Sequence, residues 1–195
     1  MTARLNPWTV APDAFKPLMD LEAQIAASSL EQSLIELVKM RASQINGCAF
    51  CLHMHSRDAR AAGETEERLY LLNGWRESNL YTPRERAALA WTEALTRVAD
   101  THAPDADYQG LAPHLSELEV VNLTLLIMAI NAWNRMAIGF RSQHPRHWVA
   151  KAAYDSIPAI RLAAVTVFCS RQATVIGPTP LGTGVIEPAT SSASL

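Results

Sequence analysis

Residues 36–55 read ELVKMRASQINGCAFCLHMH and carry two of the chain's three cysteines, three residues apart. His55 follows Cys51 by four residues, and Glu36 precedes Cys48 by twelve. Cys48, Cys51 and His55 stand at i, i+3 and i+7, within a narrow stripe of a helix turning about 100° per residue. Asn46-Gly47 is a turn signal. The helix is therefore expected from about Cys48 to Ala62, with Gly63 as the residue that ends it. Cys48 would lie in its first turn, where unpaired N–H groups and the dipole lower a thiol pKa. Two thiols at a helix start can approach bonding distance, then attack and resolve a peroxide or exchange disulfides. His55, one turn below Cys51, can act as base or proton relay.

Other readings of the stretch are weaker. His53 points to the opposite side of the helix from Cys51 and His55. A zinc site built from Cys48, Cys51, His53 and His55 would need His53 and His55 to meet one ion with Cys51, which a continuous helix prevents. Periodicity alone puts Glu36, within LIELVKM and close to Lys39, on a solvated face.

Working outward, residues 1–15 hold Pro7 and Pro12 without a clean period and read as an extended arm, anchored by Trp8 and Phe15. Residues 16–27 form a first helix with Pro17 in its first turn. Ser28 or Ser29 is expected to cap the next, which runs to about Gln44. Thr65 starts a short helix that Asn73-Gly74 ends. Thr82-Pro83-Arg84-Glu85 is a capping box with proline at the first helical position; it opens a helix to about Ala99 that buries Ala87, Ala88, Trp91, Leu95 and Val98. Residues 100–115 read as a loop with one helical turn. Ser116 and Glu119 form a second capping box, and the helix from Glu117 to about Arg141 is apolar on most sides, the pattern of a nearly enclosed central helix that Pro145 closes. With no alternating run before residue 160, the body is all-α, of about six helices. Residues 146–195 differ: a helix to about Ser156, then a Thr-, Ser-, Pro- and Gly-rich stretch read as a partly disordered extension or a weak strand pair at 165–168 and 174–176.

Composition narrows the function classes. A chain of 195 residues suits one domain with a sufficient core. The net charge of −2, with no basic stripe, gives no sign of nucleic acid as a partner. Cysteines in a CxxC plus a remote Cys169 fit a reducing compartment better than a disulfide scaffold. The N-terminus has no apolar core of a signal peptide, and the longest apolar run, Leu125–Ile130, is far short of the roughly 20 residues that span a bilayer. A cytoplasmic protein without membrane partners is expected. With 18% charged and 49% hydrophobic residues, subunit contacts are also expected.

The pattern Glu36, Cys48-Ala-Phe-Cys51, His55 resembles the carboxymuconolactone decarboxylase superfamily, in its AhpD-like alkylhydroperoxidase branch. All four positions match in spacing. KMRASQINGCAFCLHMHSRDARAAG and the later INAWNRMAIGFR resemble the same family, so the AhpD-like domain is expected over residues 16–145, between the arm at 1–15 and the extension at 146–195. The resemblance implies an all-α fold assembling as a homotrimer or homohexamer. It implies that Cys51 is the peroxidatic cysteine and Cys48 the resolving cysteine and proton donor, closing a Cys48–Cys51 disulfide. Glu36 and His55 would form the proton relay, which moves Glu36 from the surface into the site. No cofactor or metal is called for; a dithiol partner, in AhpD proper a lipoylated protein, would reduce the disulfide. AhpD proper has a second relay histidine between the cysteines, where this chain has Phe50, and His53 does not fill that place. The lactone-decarboxylating branch generally lacks the CxxC pair, so redox chemistry on a small peroxide is favoured. A cofactor-free decarboxylase or lactone-acting enzyme and a non-catalytic redox sensor are the alternatives.

Overall fold

Each long helix starts where the sequence supplies a cap, a proline or a turn. The computed structural model, which describes residues 2–144, contains only helical regular elements within them. The principal helices are α2 (Lys16–Ala26), α3 (Gln32–Asn46), α4 (Ala49–Ala61), α5 (Glu66–Leu71), α6 (Pro83–Thr96) and α9 (Glu117–Phe140). Short turns α1 (Pro7–Val10), α7 (Val98–Thr101) and α8 (Asp105–Gln109) complete the set. The all-α reading holds, and the six expected helices are the six principal ones. The extension at 146–195, with its expected helix and strands, lies outside the described residues, as do Pro145 and Cys169.

Both capping boxes form. Thr82 and Ser116 accept the backbone N–H groups of Glu85 and Glu119, whose carboxylates return the bond. Elsewhere local readings give way. The arm is not extended: Asn6 caps α1, and a 3₁₀ turn at Pro12–Phe15 follows. Its anchors are the expected ones, with Trp8 against Phe15 at 4.2 Å and against Trp133 at 5.8 Å between ring centroids. Neither Ser28 nor Ser29 caps α3; the N-cap is Glu31, and the Ser28 hydroxyl instead accepts Leu30 N–H within its own turn. Helix α6 stops at Thr96 rather than Ala99, and Val98 is half exposed, because the chain leaves helical geometry at Arg97 before α7.

The largest revision concerns which helix is central. Helix α3 packs against α4, α6 and α9, and every residue from Leu34 to Ser43 is buried. Helix α9 buries one side, while Leu118, Val121, Met128 and Ile138 are exposed. Among the described helices, α9 is long and apolar enough to cross a membrane by length and composition alone. Its buried side carries Asn131 and Asn134, which bond to α3 and α6, as a core helix would.

The α3–α4 turn sets the candidate site. Gly47 takes φ +70° at the end of α3, a left-handed conformation that spares glycine the Cβ penalty, and α4 starts with Cys48 as its N-cap. A Cβ at Gly47 would meet nothing within 4 Å, so Gly47→Ala costs backbone strain alone. We expect a loss of about 1–2 kcal/mol in unfolding free energy, read by denaturant titration. An unchanged midpoint would show that the turn does not depend on glycine.

Candidate active site

As N-cap, Cys48 has its Sγ where a serine oxygen would normally sit, and it accepts the Cys51 backbone N–H at 3.3 Å. Cys51, one turn on, brings its Sγ to 2.7 Å from that of Cys48. Both are free thiols and almost wholly buried. Ala137 of α9 packs on the pair, with Phe50 alongside. Phe50, between the two cysteines in sequence, thus supplies an apolar wall there.

One turn further, His55 is fully enclosed, and its Nδ1 lies 3.0 Å from Glu36 Oε2. The Gln32 amide donates to Glu36 Oε1 at 2.8 Å, so both carboxylate oxygens are engaged. The Glu36 carboxylate thus holds the His55 ring at Nδ1. Glu36 is therefore no surface residue. Periodicity misplaced it because α3 is buried on every side, where an apolar stripe no longer marks the inner face.

The electrostatics divide the two thiols. The hydrogen bond shared with Cys51 is the largest influence lowering Cys48, to about 7; burial opposes it, while the Cys51 N–H, His55 and the Asn134 carboxamide assist. Cys51 is pushed well up by holding its proton against Cys48, and burial adds to this. The N-cap position assists, because Cys48 receives the Cys51 backbone N–H at the helix start, which favours negative charge there. Burial pushes the Glu36 carboxyl up, but His55, Lys39 and Gln32 together bring it below its usual value.

Residues 12–94 match the carboxymuconolactone decarboxylase family. The uncharacterized protein YdfG of Bacillus subtilis is 43% identical over 138 residues, which cover 71% of this chain and 94% of that protein. The chain belongs to the carboxymuconolactone decarboxylase family. Within it, the AhpD-like branch is the one it resembles in structure. A solved protein of unknown function from Agrobacterium tumefaciens, provisionally named as the antioxidant defence protein AhpD, is 48% identical with a TM-score of 0.73, covering 75% of this chain and all (100%) of that one. The debrominase Bmp8 shares the fold at 19% identity and a TM-score of 0.63, covering 84% of this chain and 77% of its own.

In this carboxymuconolactone decarboxylase family member the fold brings Glu36, Cys48, Cys51 and His55 together and leaves His53 outside. His53 stacks on His144 at 4.9 Å between ring centroids, away from the thiols. Burial, then His144 and Arg57, lower its pKa. Among the described residues, one trio has the spacing to hold a metal: Glu36, His55 and Asp58, with ligand atoms within 4.8 Å of one another. The nearby Lys39 ammonium already supplies positive charge to both carboxylates, as its influence on each of them shows.

Sequence reading missed several neighbours. Asp58 stands three residues beyond His55, a spacing that could have nominated it, and burial raises its pKa. Lys39 is buried and paired with Glu22 at 2.8 Å, contrary to its reading as part of a solvated face. Gln32 and Asn134 carried no signal for the site, and Asn46 was legible only as part of a turn; the packing of α3 on α4 and α9 brings them near it.

Proposed function

We propose that this protein is a thiol-dependent peroxidase that reduces hydrogen peroxide or alkyl hydroperoxides through Cys48 and Cys51. The observation that carries this reading is the pair of free thiols 2.7 Å apart at a helix start, backed by the buried His55–Glu36 pair. The AhpD-like relatedness supports it. The resting pair holds its charge on Cys48 and its proton on Cys51. Transfer of that proton across the S–H···S contact gives a Cys51 thiolate beside a Cys48 thiol. Cys51 sulfur attacks the nearer peroxide oxygen, the O–O bond breaks, and the departing alkoxide takes the Cys48 proton to leave as alcohol or water. Cys51 is then a sulfenic acid and Cys48 a thiolate again. Cys48 attacks the Cys51 sulfur, the S–O bond breaks, and the hydroxide is protonated to water through His55 and Glu36. Two electrons have passed from the two thiols to the peroxide. A dithiol reductant, such as a lipoylated protein, returns them and restores both thiols. The working assembly in this proposal is a homotrimer or homohexamer.

The test is a stoichiometric peroxide pulse on the reduced protein. Two thiols per chain should disappear, with a Cys48–Cys51 disulfide found by peptide mapping. Thiol loss no faster than that of free cysteine would overturn the reading, and turnover of a lactone substrate in its place would move the protein to the decarboxylating branch.

A further inference from the structure

The proposed cycle releases a hydroxide that must gain a proton, and the pair that supplies it is enclosed: Glu36 is 1% exposed and His55 0%. A proton given up inside an enclosed site has to be replaced from outside it. Asp58 stands one turn beyond His55 on α4. A carboxylate oxygen of Asp58, a ring nitrogen of His55 and a carboxylate oxygen of Glu36 all lie within 4.8 Å of one another. One water molecule, or a small side-chain rotation, spans such a gap. Glu22, Glu36, Lys39 and His55 are all buried, whereas Asp58 is half-buried. Asp58 is the member of this group of charges that reaches solvent.

We propose that Asp58 is a positioning residue of this site that acts through His55: it is the carboxyl through which the enclosed His55–Glu36 pair exchanges its proton with solvent. Its part in a reaction cycle rests on the peroxidase reading; its place as the proton outlet of His55 does not. In the cycle above, His55 and Glu36 pass one proton to the departing hydroxide, which leaves as water. The Asp58 O–H bond then breaks as an N–H bond forms on His55, and the Asp58 carboxylate takes a proton from solvent. No electrons are transferred in this step. The charged groups facing Asp58 are His55 and Arg57 of α4 and Glu36 and Lys39 of α3. These surroundings push the two carboxyls apart. Burial raises Glu36, but His55, Lys39 and Gln32 together bring it down. Burial, with Glu36 adding to it, raises Asp58 against the pull of His55, Lys39 and Arg57. Glu36 thus keeps the lasting charge that holds the His55 ring, and Asp58 is the carboxyl that takes up and returns a proton.

The experiment measures how fast the His55 ring N–H exchanges with water in the reduced, 15N-labelled protein, by NMR and without peroxide. Asp58→Asn keeps the shape and removes the acid; Asp58→Ala leaves room for a small carboxylic acid in its place. Both should slow the exchange by about 10²-fold. Added formate should restore it in Asp58→Ala, in proportion to concentration, and leave Asp58→Asn slow. Folded variants that lose thermal stability but exchange as the wild type does would reduce Asp58 to packing and overturn the proposal. Slowed exchange in Asp58→Ala that formate does not relieve would overturn it as well. If neither variant folds, the side-chain 13C carboxyl resonance of Asp58 in the wild type decides. The His55 ring signals should follow that carboxyl through its protonation, and ring signals indifferent to it would equally overturn the proposal. None of these readouts uses peroxide. Slowed, formate-relieved exchange in a protein without peroxide turnover would sink the proposed function and leave Asp58 in its place; peroxide turnover with exchange unchanged in both variants would do the reverse.

Discussion

Cys51→Ser is expected to abolish peroxide consumption, and Cys48→Ser to take up one equivalent and stop, with a sulfenic acid trapped on Cys51. The two variants differ because the two sulfurs do different work in the proposed cycle. Without Cys51 no sulfur takes the peroxide oxygen, and Cys48 alone has lost the S–H partner that most lowers its pKa. Without Cys48 the attack has its nucleophile but the sulfenic acid has nothing to resolve it. Folding should survive the second change, because serine is a preferred N-cap and its hydroxyl can accept the same Cys51 N–H. A dimedone-type probe followed by mass spectrometry reads the trapped species directly. His55→Ala, which removes the proton relay but neither sulfur, should slow the reaction by about 10²–10⁴-fold without changing the one-pulse product. A sulfenic acid found on Cys48 in Cys51→Ser would reverse the two roles. Peroxide turnover undiminished in the double serine variant would remove the cysteines from the chemistry altogether.

The largest effect on stability is expected from Glu22→Leu. Lys39 is enclosed by α3 and its neighbours, and its ammonium lies 2.8 Å from the Glu22 carboxylate, with side-chain exposures of 1% and 5%. Burial alone would lower the Lys39 pKa; Glu22 first, then Glu36 and Asp58, reverse this and raise it above its ordinary 10.5. Removing Glu22 leaves a buried cation with only its weaker carboxylate neighbours, a change that costs about 3–5 kcal/mol in general. Because Glu36 and Asp58 remain, the loss should fall near 3 kcal/mol. Denaturant unfolding measures it. The double change Glu22→Leu with Lys39→Met, which removes both charges, should recover most of the loss, and a double variant no more stable than Glu22→Leu would show that the pair is not the cause. The pH dependence has opposite signs at the two ends. With its folded pKa raised, Lys39 contributes stability that is present below about 10.5 and lost as pH rises through the folded value. With its folded pKa lowered, Glu36 contributes stability present above about 4.5 and lost as pH falls through the folded value.

What the amino-acid sequence determined by itself is local. Asn46-Gly47 forces the reversal, Cys48 and Cys51 share a face because they are three residues apart, His55 follows one turn later, and Thr82 and Ser116 close their capping boxes. Each of these depends on interactions within a few residues, where backbone geometry decides the outcome whatever the rest of the chain does. The same local reading failed at the stop of α6 and at the turns of the arm. It also chose the wrong central helix. Helix α9 looked enclosed from its apolar residues and is exposed along one side, while α3, carrying Glu36, Lys39 and Arg41, is the enclosed one. Those three residues look solvated in sequence because their partners are far away: Glu22 is 17 positions from Lys39, His55 is 19 from Glu36, and Glu93 is 52 from Arg41. The carboxamide of Asn134 meets Asn46 and Ser43 from still farther along the chain, 88 and 91 positions away. Burying a charge or an amide is favourable only when its counterpart arrives in the right place, and tertiary structure alone brings the counterparts together.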